Sequence, residues 1–106
     1  MVDKIDNVIK VSLLYDFYGA LLTEKQRSVM EMYHEENLTL QEIAEESGIT
    51  RQAVHNTLKF AEEALNEYED KLGLVKQFIL HKDIFKKIKE AKTLEEAKAL
   101  VNILEE

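Results

Sequence analysis

Residues 40–59 read Leu-Gln-Glu-Ile-Ala-Glu-Glu-Ser-Gly-Ile-Thr-Arg-Gln-Ala-Val-His-Asn-Thr-Leu-Lys, and this stretch predicts two helices joined by a tight turn. Small Ala44 lets the two helices approach each other, and Gly48 lies where the chain must pass through a left-handed backbone conformation. Thr50 is placed to cap the second helix, so the first turns of that helix project outward. The pattern is that of a helix-turn-helix motif, and we expect a positive φ at Gly48.

The outward side chains of the second helix have the chemistry that recognises DNA bases. In this motif the second helix enters the major groove, and its N-terminal side chains meet the base edges. Arginine suits guanine, and glutamine and asparagine suit adenine, each through two parallel hydrogen bonds. We expect Thr50 and Lys59 to contact phosphates. The predicted nucleic-acid-binding residues are Thr50, Arg51, Gln52, His55, Asn56 and Lys59.

A second interpretation of the motif remains open. The carboxylates of Glu42, Glu45 and Glu46 on the first helix would repel nearby phosphates. The helix-turn-helix would then serve packing or the binding of a protein.

Composition restricts the fold and the chemistry of the whole chain. The 106 residues include no Pro, no Cys and only three Gly, and 45% of them are hydrophobic. Without cysteine there is no disulfide scaffold, thiolate metal site or cysteine nucleophile, and the scarcity of turn formers argues against a β-sandwich. Fourteen basic residues against twenty-one acidic ones give a net charge of −7. We expect a compact, all-α, cytoplasmic protein.

Capping signals divide the remaining sequence into further helices. Thr23, Thr39 and Thr93 each precede a Gln or Glu three residues later, which predicts a capping box at each position. Thr50 has no such partner, and Gly73 is placed to supply a left-handed C-cap. The first four predicted helices run from about Ile5 to Leu21, Glu24 to about Glu35, Leu40 to Glu46 and Arg51 to Gly73. A further helical pattern begins at Leu74, either continuous or broken near 81–83, and a last helix follows Thr93.

Apolar spacing predicts which helix faces are buried. In the first helix the predicted stripe is Ile5, Val8, Ile9, Leu13, Phe17, Ala20 and Leu21, and a second face is Val11, Leu14, Tyr15 and Tyr18. In the second helix we expect Val29, Met32 and Tyr33 to be buried. In the fourth the predicted stripe is Val54, Leu58, Ala61, Leu65, Tyr68 and Leu72. We expect residues 1–72 to form an N-terminal helix plus a helix-turn-helix core, with 73–106 as a C-terminal helical extension packed on the same domain.

Catalytic, metal and membrane signals are missing from the sequence. His34, His55 and His81 lack metal-ligand spacing, and no Gly-rich phosphate loop or nucleophile elbow occurs. The longest apolar region, residues 11–22, is too short to span a bilayer, and no export signal is visible. We therefore expect no enzyme, no catalytic residue, no metal, no cofactor and no membrane partner.

Two families share these motifs. The segments Leu22–Arg27, Leu40–Ala44 and Gly48–Val54 resemble region 4 of bacterial sigma factors, which reads the −35 promoter element. More closely, Tyr15–Gln26 followed by Ser47–Val54 resembles the YlxM family, also called p13-like, of small bacterial helix-turn-helix proteins.

The resemblance covers most of the chain and is strongest over residues 15–72. It implies a DNA-binding regulatory protein with Arg51, Gln52, His55, Asn56 and Lys59 as its recognition face. Genes of the family tend to lie beside those for the signal recognition particle GTPase and its receptor, which implies a role in that targeting pathway. The alternative is an adaptor that binds the particle's protein or RNA without sequence-specific DNA binding. No segment corresponds to the sigma region that melts the −10 element.

The acidic charge and the apolar excess predict a homodimer. Helix-turn-helix modules gain affinity by pairing two copies on two half-sites. The first helix and residues 74–104 carry more apolar side chains than one small core needs. The alternative is a closed monomer in which residues 74–104 cover the N-terminal helix.

Overall fold

A computed structural model of the protein describes residues 2–105, with side chains described for residues 7–105. The helices are α1 (Val2–Tyr18), α2 (Glu24–His34), α3 (Leu40–Ser47), α4 (Arg51–Leu72), α5 (Leu74–Glu90) and α6 (Leu94–Glu105), with a short 3-10 turn at Gly19–Leu21. Residues 2–105 contain no strand, so the all-α prediction is confirmed. Within the same range, no helix has the length and apolar character needed to cross a membrane.

The chain forms two units, Met1–Leu72 and Gly73–Glu106. In the first unit α4 is the central helix, because α1, α2 and α3 all pack against it. In the second unit α5 and α6 pack against each other. The buried side chains of the first unit are Val11, Leu14, Tyr18, Leu22, Val29, Met30, Ile43, Ala44, Val54, Leu58, Ala61 and Leu65.

Two of the predicted capping boxes are complete. The Thr23 hydroxyl accepts from the Gln26 N–H at 3.1 Å, and the Gln26 side chain accepts from the Thr23 N–H at 3.0 Å. Thr39 and Glu42 exchange the same two bonds at 3.1 and 3.0 Å. These bonds from Thr39 hold the pKa of Glu42 below its ordinary value. Since they favour the charged carboxylate, their stabilising effect is present at neutral pH and is lost as the pH falls through the lowered pKa.

The second unit departs from the sequence prediction at one cap and decides one alternative that the sequence left open. The Thr93 hydroxyl accepts from the Glu96 N–H at 3.1 Å, but the Glu96 carboxylate accepts from the Lys92 N–H at 3.4 Å. The predicted box is therefore wrong in its returning bond. The backbone N–H of Lys92, one residue before Thr93, is the donor that the Glu96 carboxylate binds. Helix α5 also runs without a break through 81–83, where nothing in the side chains prevents helical geometry.

The buried face of α1 is the second of the two predicted faces. Leu14 is 2% exposed, whereas Val8 and Ile9 are 56% and 54% exposed. Of the rest of the predicted stripe, Phe17, Ala20 and Leu21 are exposed, Leu13 is half-buried, and the side chain of Ile5 lies outside the described residues. The prediction of the main stripe is wrong because both faces are apolar, and packing against α4 buries only one of them.

An aromatic contact between α1 and α4 accompanies this choice of face. The Tyr18 ring stacks on Tyr68 with centroids 6.0 Å apart, and the Tyr18 hydroxyl donates to Glu69 at 2.6 Å. Tyr18 is a good residue for this position, because it buries a large ring while its hydroxyl keeps a hydrogen-bond partner.

Two other burial predictions are wrong. In α2 the buried partner of Val29 is Met30, whereas Tyr33 is 40% exposed and Met32 is half-buried. The Tyr33 ring meets His34 edge-on, with centroids 5.0 Å apart, so it covers a neighbouring ring instead of the core. In α4 Leu72 is exposed, because it lies in the last turn of the helix.

The turn at Gly48 yields a stability prediction. Gly48 has φ 70°, as expected, and an added Cβ would meet no atom within 4 Å. We expect Gly48→Val to lower the free energy of unfolding by about 1 kcal/mol or more, entirely through backbone strain. Chemical denaturation measures it, with Gly48→Asn as the control, because asparagine tolerates this conformation better. An unchanged chemical denaturation curve for Gly48→Val would contradict the assigned source of strain.

Candidate nucleic-acid interface

Local backbone chemistry determines where the second helix of the motif begins. Gly48 ends α3 in the left-handed conformation, and the N–H groups of Gly48 and Ile49 both donate to the Ala44 carbonyl. The Thr50 hydroxyl then accepts from the Ala53 N–H at 3.0 Å. This bond satisfies one of the unpaired donors at the start of α4. Helix α4 therefore begins at a defined point, with Arg51 as its first residue.

Apolar side chains orient α4 on the rest of the unit. Ile43 and Val54 are completely buried, and Leu58 and Ala44 are nearly so. Helices α2 and α3 both pack against α4, so the side of α4 that carries Val54 and Leu58 is covered. The residues between these two apolar positions point away from the core by helical spacing.

The six predicted binding residues all lie on the surface. Thr50 is exposed at the cap, and Arg51 and His55 are exposed in the first two turns of α4. Gln52 and Asn56, one turn apart, are brought together by a hydrogen bond from the Gln52 Nε2 to the Asn56 Oδ1 at 3.1 Å. The side chain of Lys59 is exposed one turn further on. The structure thus presents one continuous polar face, which we call the recognition face: Thr50, Arg51, Gln52, His55, Asn56 and Lys59.

Within residues 40–70, the basic side chains all lie on this face. Arg51 and Lys59 are the two basic residues, apart from His55, of residues 40–70. The neighbouring helix α3 and the later turns of α4 are acidic in sequence: Glu42, Glu45, Glu46, Glu62, Glu63, Glu67, Glu69 and Asp70. Residues 1–72 contain seven Lys and Arg against fifteen Asp and Glu, a net charge of −8. Any ion pair between the recognition face and a phosphate therefore depends on Arg51 and Lys59, His55 apart.

Titratable contacts elsewhere in the unit have structural roles. The Tyr15 hydroxyl donates to Glu31 at 2.6 Å, and burial together with this bond raises the pKa of Tyr15 to about 12. His34 lies 3.4 Å from Glu62 and joins α2 to α4. Among the described residues, no three His, Cys, Asp or Glu side chains are grouped so as to hold a metal ion.

A groove beside the motif is a feature that the sequence did not reveal. It has a volume of about 560 Å³ and lies between α2 and the end of α3. The residues that line it are Lys25, Ser28, Val29, Glu31, Met32, Glu36, Glu46, Ser47 and Ile49. No sequence signal indicated it, because the lining comes from two segments, residues 25–36 and 46–49, and mixes apolar with charged side chains.

The capped turn, the buried apolar side chains between α3 and α4, and the projecting polar face define a helix-turn-helix protein. A model of the UPF0122 family, described as helix-turn-helix proteins, YlxM / p13 like, matches residues 5–103. The chain belongs to this family of helix-turn-helix proteins.

Relatives from several bacteria agree with the family assignment. The UPF0122 protein YlxM of Bacillus subtilis is 42% identical over 105 residues, which cover 95% of this chain and 96% of that protein. A UPF0122 protein of Caldanaerobacter subterraneus is 51% identical over 87 residues, covering 82% of this chain and 72% of the relative. A UPF0122 protein of Desulforamulus reducens is 58% identical over 69 residues, covering 65% of this chain and 59% of the relative.

Proposed function

We propose that the protein is a cytoplasmic regulatory protein that binds duplex DNA in the major groove through the recognition face. The observation that supports this most strongly is the start of α4, where the Thr50 cap and the left-handed Gly48 project the first turns outward. These turns carry Arg51 and the hydrogen-bonded pair of Gln52 and Asn56. An Arg beside two side-chain amides is a set that distinguishes guanine from adenine in the major groove.

The acidic surroundings of the face favour action as a homodimer. With only Arg51 and Lys59 as basic side chains, His55 apart, on the recognition face of a unit of net charge −8, one copy neutralises few phosphates and binds weakly at physiological salt. Two copies on half-sites about 34 Å apart double the number of base and phosphate contacts. The dimer thus supplies the affinity that a single unit lacks.

Selection from a pool of random duplexes tests the proposal. We expect the full-length protein to enrich a sequence with two related half-sites, and fluorescence anisotropy to show tighter binding to it than to a scrambled duplex. The matched control replaces Arg51, Gln52, His55, Asn56 and Lys59 with alanine. Failure to enrich any duplex, or an equal affinity of the control for the enriched duplex, would refute DNA binding by this face.

The salt dependence of binding predicts a separate role for Lys59. Each neutralised phosphate steepens the fall of the logarithm of the association constant with the logarithm of salt concentration by about 0.9. We therefore expect Lys59→Ala to reduce this slope by about 1 for each copy bound, and to weaken all duplexes evenly. Lys71→Ala is the control, because Lys71 is exposed in the last turn of the same helix. If the slope is unchanged in the Lys59 variant, Lys59 does not contact a phosphate.

A second candidate function is supported by the charge distribution. The carboxylates of Glu42, Glu45 and Glu46 lie exposed on α3 and repel a polyanion, so the motif also suits a protein partner. That function is an adaptor that binds the GTPase or the RNA of the signal recognition particle, and the carboxylates favour the GTPase, because RNA is itself a polyanion. Pull-down with the purified GTPase and, separately, with the purified RNA distinguishes it from DNA binding. Under this second function the complex forms at physiological salt and no duplex is enriched.

A further inference from the structure

The second unit exposes an unusual amount of apolar side chain. Of residues 73–105, only Val75 and Ile84 are buried apolar side chains, and α6 contains no buried residue. The unit also exposes large apolar side chains on both helices to between 40% and 70%. Six of them are Ile79, Leu80, Phe85, Leu94, Val101 and Ile103.

Energetics make this exposure significant. Two packed helices of this length bury too little apolar surface to offset the entropy of ordering them. By helical spacing Leu94 and Val101 share one side of α6, whereas Ile103 lies on the opposite side. Exposed apolar side chains in this number, on a unit that buries so few, indicate an interaction site.

The charge distribution favours a second copy as the partner. Residues 73–106 contain seven Lys and six Asp or Glu, a net charge of +1, whereas residues 1–72 carry −8. Two copies would repel each other through their first units, but the second units approach without a net penalty. Mixed charges, such as the ion pair of Lys87 and Asp83 at 3.1 Å, are typical of the polar rim around a helical interface.

We propose that two copies associate through α5 and α6, whose four helices form one bundle. Leu94 and Val101 are seven residues apart and therefore lie on one side of α6, the spacing that lines the seam of packed helices. Phe85 of α5 and this pair enter the seam, and the lysines stay at its edge. This proposal rests on the homodimer of the proposed function and identifies the surface that forms it.

Sedimentation of the full-length protein tests the interface. We expect the unaltered chain to sediment at twice its mass of 12.3 kDa at micromolar concentration. Leu94→Lys combined with Val101→Lys should raise the dimer dissociation constant at least about 100-fold, because it places charges in a desolvated seam. The matched control is Ile9→Lys, which alters an exposed apolar residue of α1 and leaves the dimer intact.

Disulfide trapping gives an independent measurement if the double variant loses its helical signal in circular dichroism. The chain has no cysteine, so one introduced thiol can form only a bond between copies. Val101→Cys or Phe85→Cys should give a covalent dimer under mild oxidation. Lys86→Cys, an exposed control position on α5, should stay monomeric.

The outcomes separate this interface from the proposed function. A dimer that survives the double substitution, or that Ile9→Lys dissociates, overturns the α5–α6 interface and leaves the homodimer standing. A single species of 12.3 kDa overturns both. If the double variant is a folded monomer that retains weak binding to one half-site, the interface and DNA binding are both supported.

Discussion

Leu14→Ala is expected to lower the free energy of unfolding by about 2–5 kcal/mol, the range for removing a buried leucine from a packed core. Leu14 is 2% exposed on the face of α1 that packs against α4. Its neighbour Leu13 is half-buried on the other face, and Leu13→Ala should cost less than about half as much. Urea denaturation followed by circular dichroism at 222 nm, a standard wavelength for helices, measures both variants.

These two substitutions form a matched pair. Both change leucine to alanine at adjacent positions of the same helix, so the gain in helix propensity is nearly equal in the two variants. The difference between them therefore reports burial alone. If both variants lost the same free energy of unfolding, or Leu13→Ala lost more, the face containing Leu13 would be the buried one, as the sequence predicted. That result would contradict the packing of α1 on α4.

Arg51→Ala is expected to weaken binding to the preferred duplex by about 1–3 kcal/mol, or roughly 5- to 150-fold, while binding to a scrambled duplex changes far less. The guanidinium of Arg51, at the first position of α4, is exposed. Arg51 and Lys59 are the only Arg and Lys residues in the sequence from 40 to 70. A bidentate contact to guanine gives base preference as well as affinity, so removing it relaxes the preference at one base pair. Fluorescence anisotropy with duplexes altered one pair at a time measures this.

Two further variants separate charge from geometry. Arg51→Lys keeps the positive charge but loses the planar fork, so the base preference should fall while the salt dependence stays nearly unchanged. Arg27→Ala removes an exposed arginine from α2 and should leave both quantities unaltered. If Arg51→Ala weakened the preferred and the scrambled duplex equally, Arg51 would be a phosphate ligand and not a base contact.

The helix ends and the turn of the motif were predictable because the chemistry that makes them is local. A threonine cap bonds a backbone N–H three residues later, and Gly48 needs only its own backbone freedom to be left-handed. The exposure of the recognition face also followed, since Val54 and Leu58 at helical spacing mark the opposite side of α4. Its binding to DNA stays a prediction, because recognition depends on a partner as much as on the face.

By itself the sequence determined the all-α class, the start and end of α4, and which residues of α4 point outward. Each of these depends on neighbours within one or two helical turns. Only the tertiary structure decided that α1 buries Leu14 and exposes Ile9, and that Met30 takes the place in the core expected for Tyr33. Both candidate faces of these helices are apolar, so the burial of one and the exposure of the other depend on the surface of α4 that they meet. That surface is assembled from residues distant in sequence, and periodicity along one helix carries no information about it.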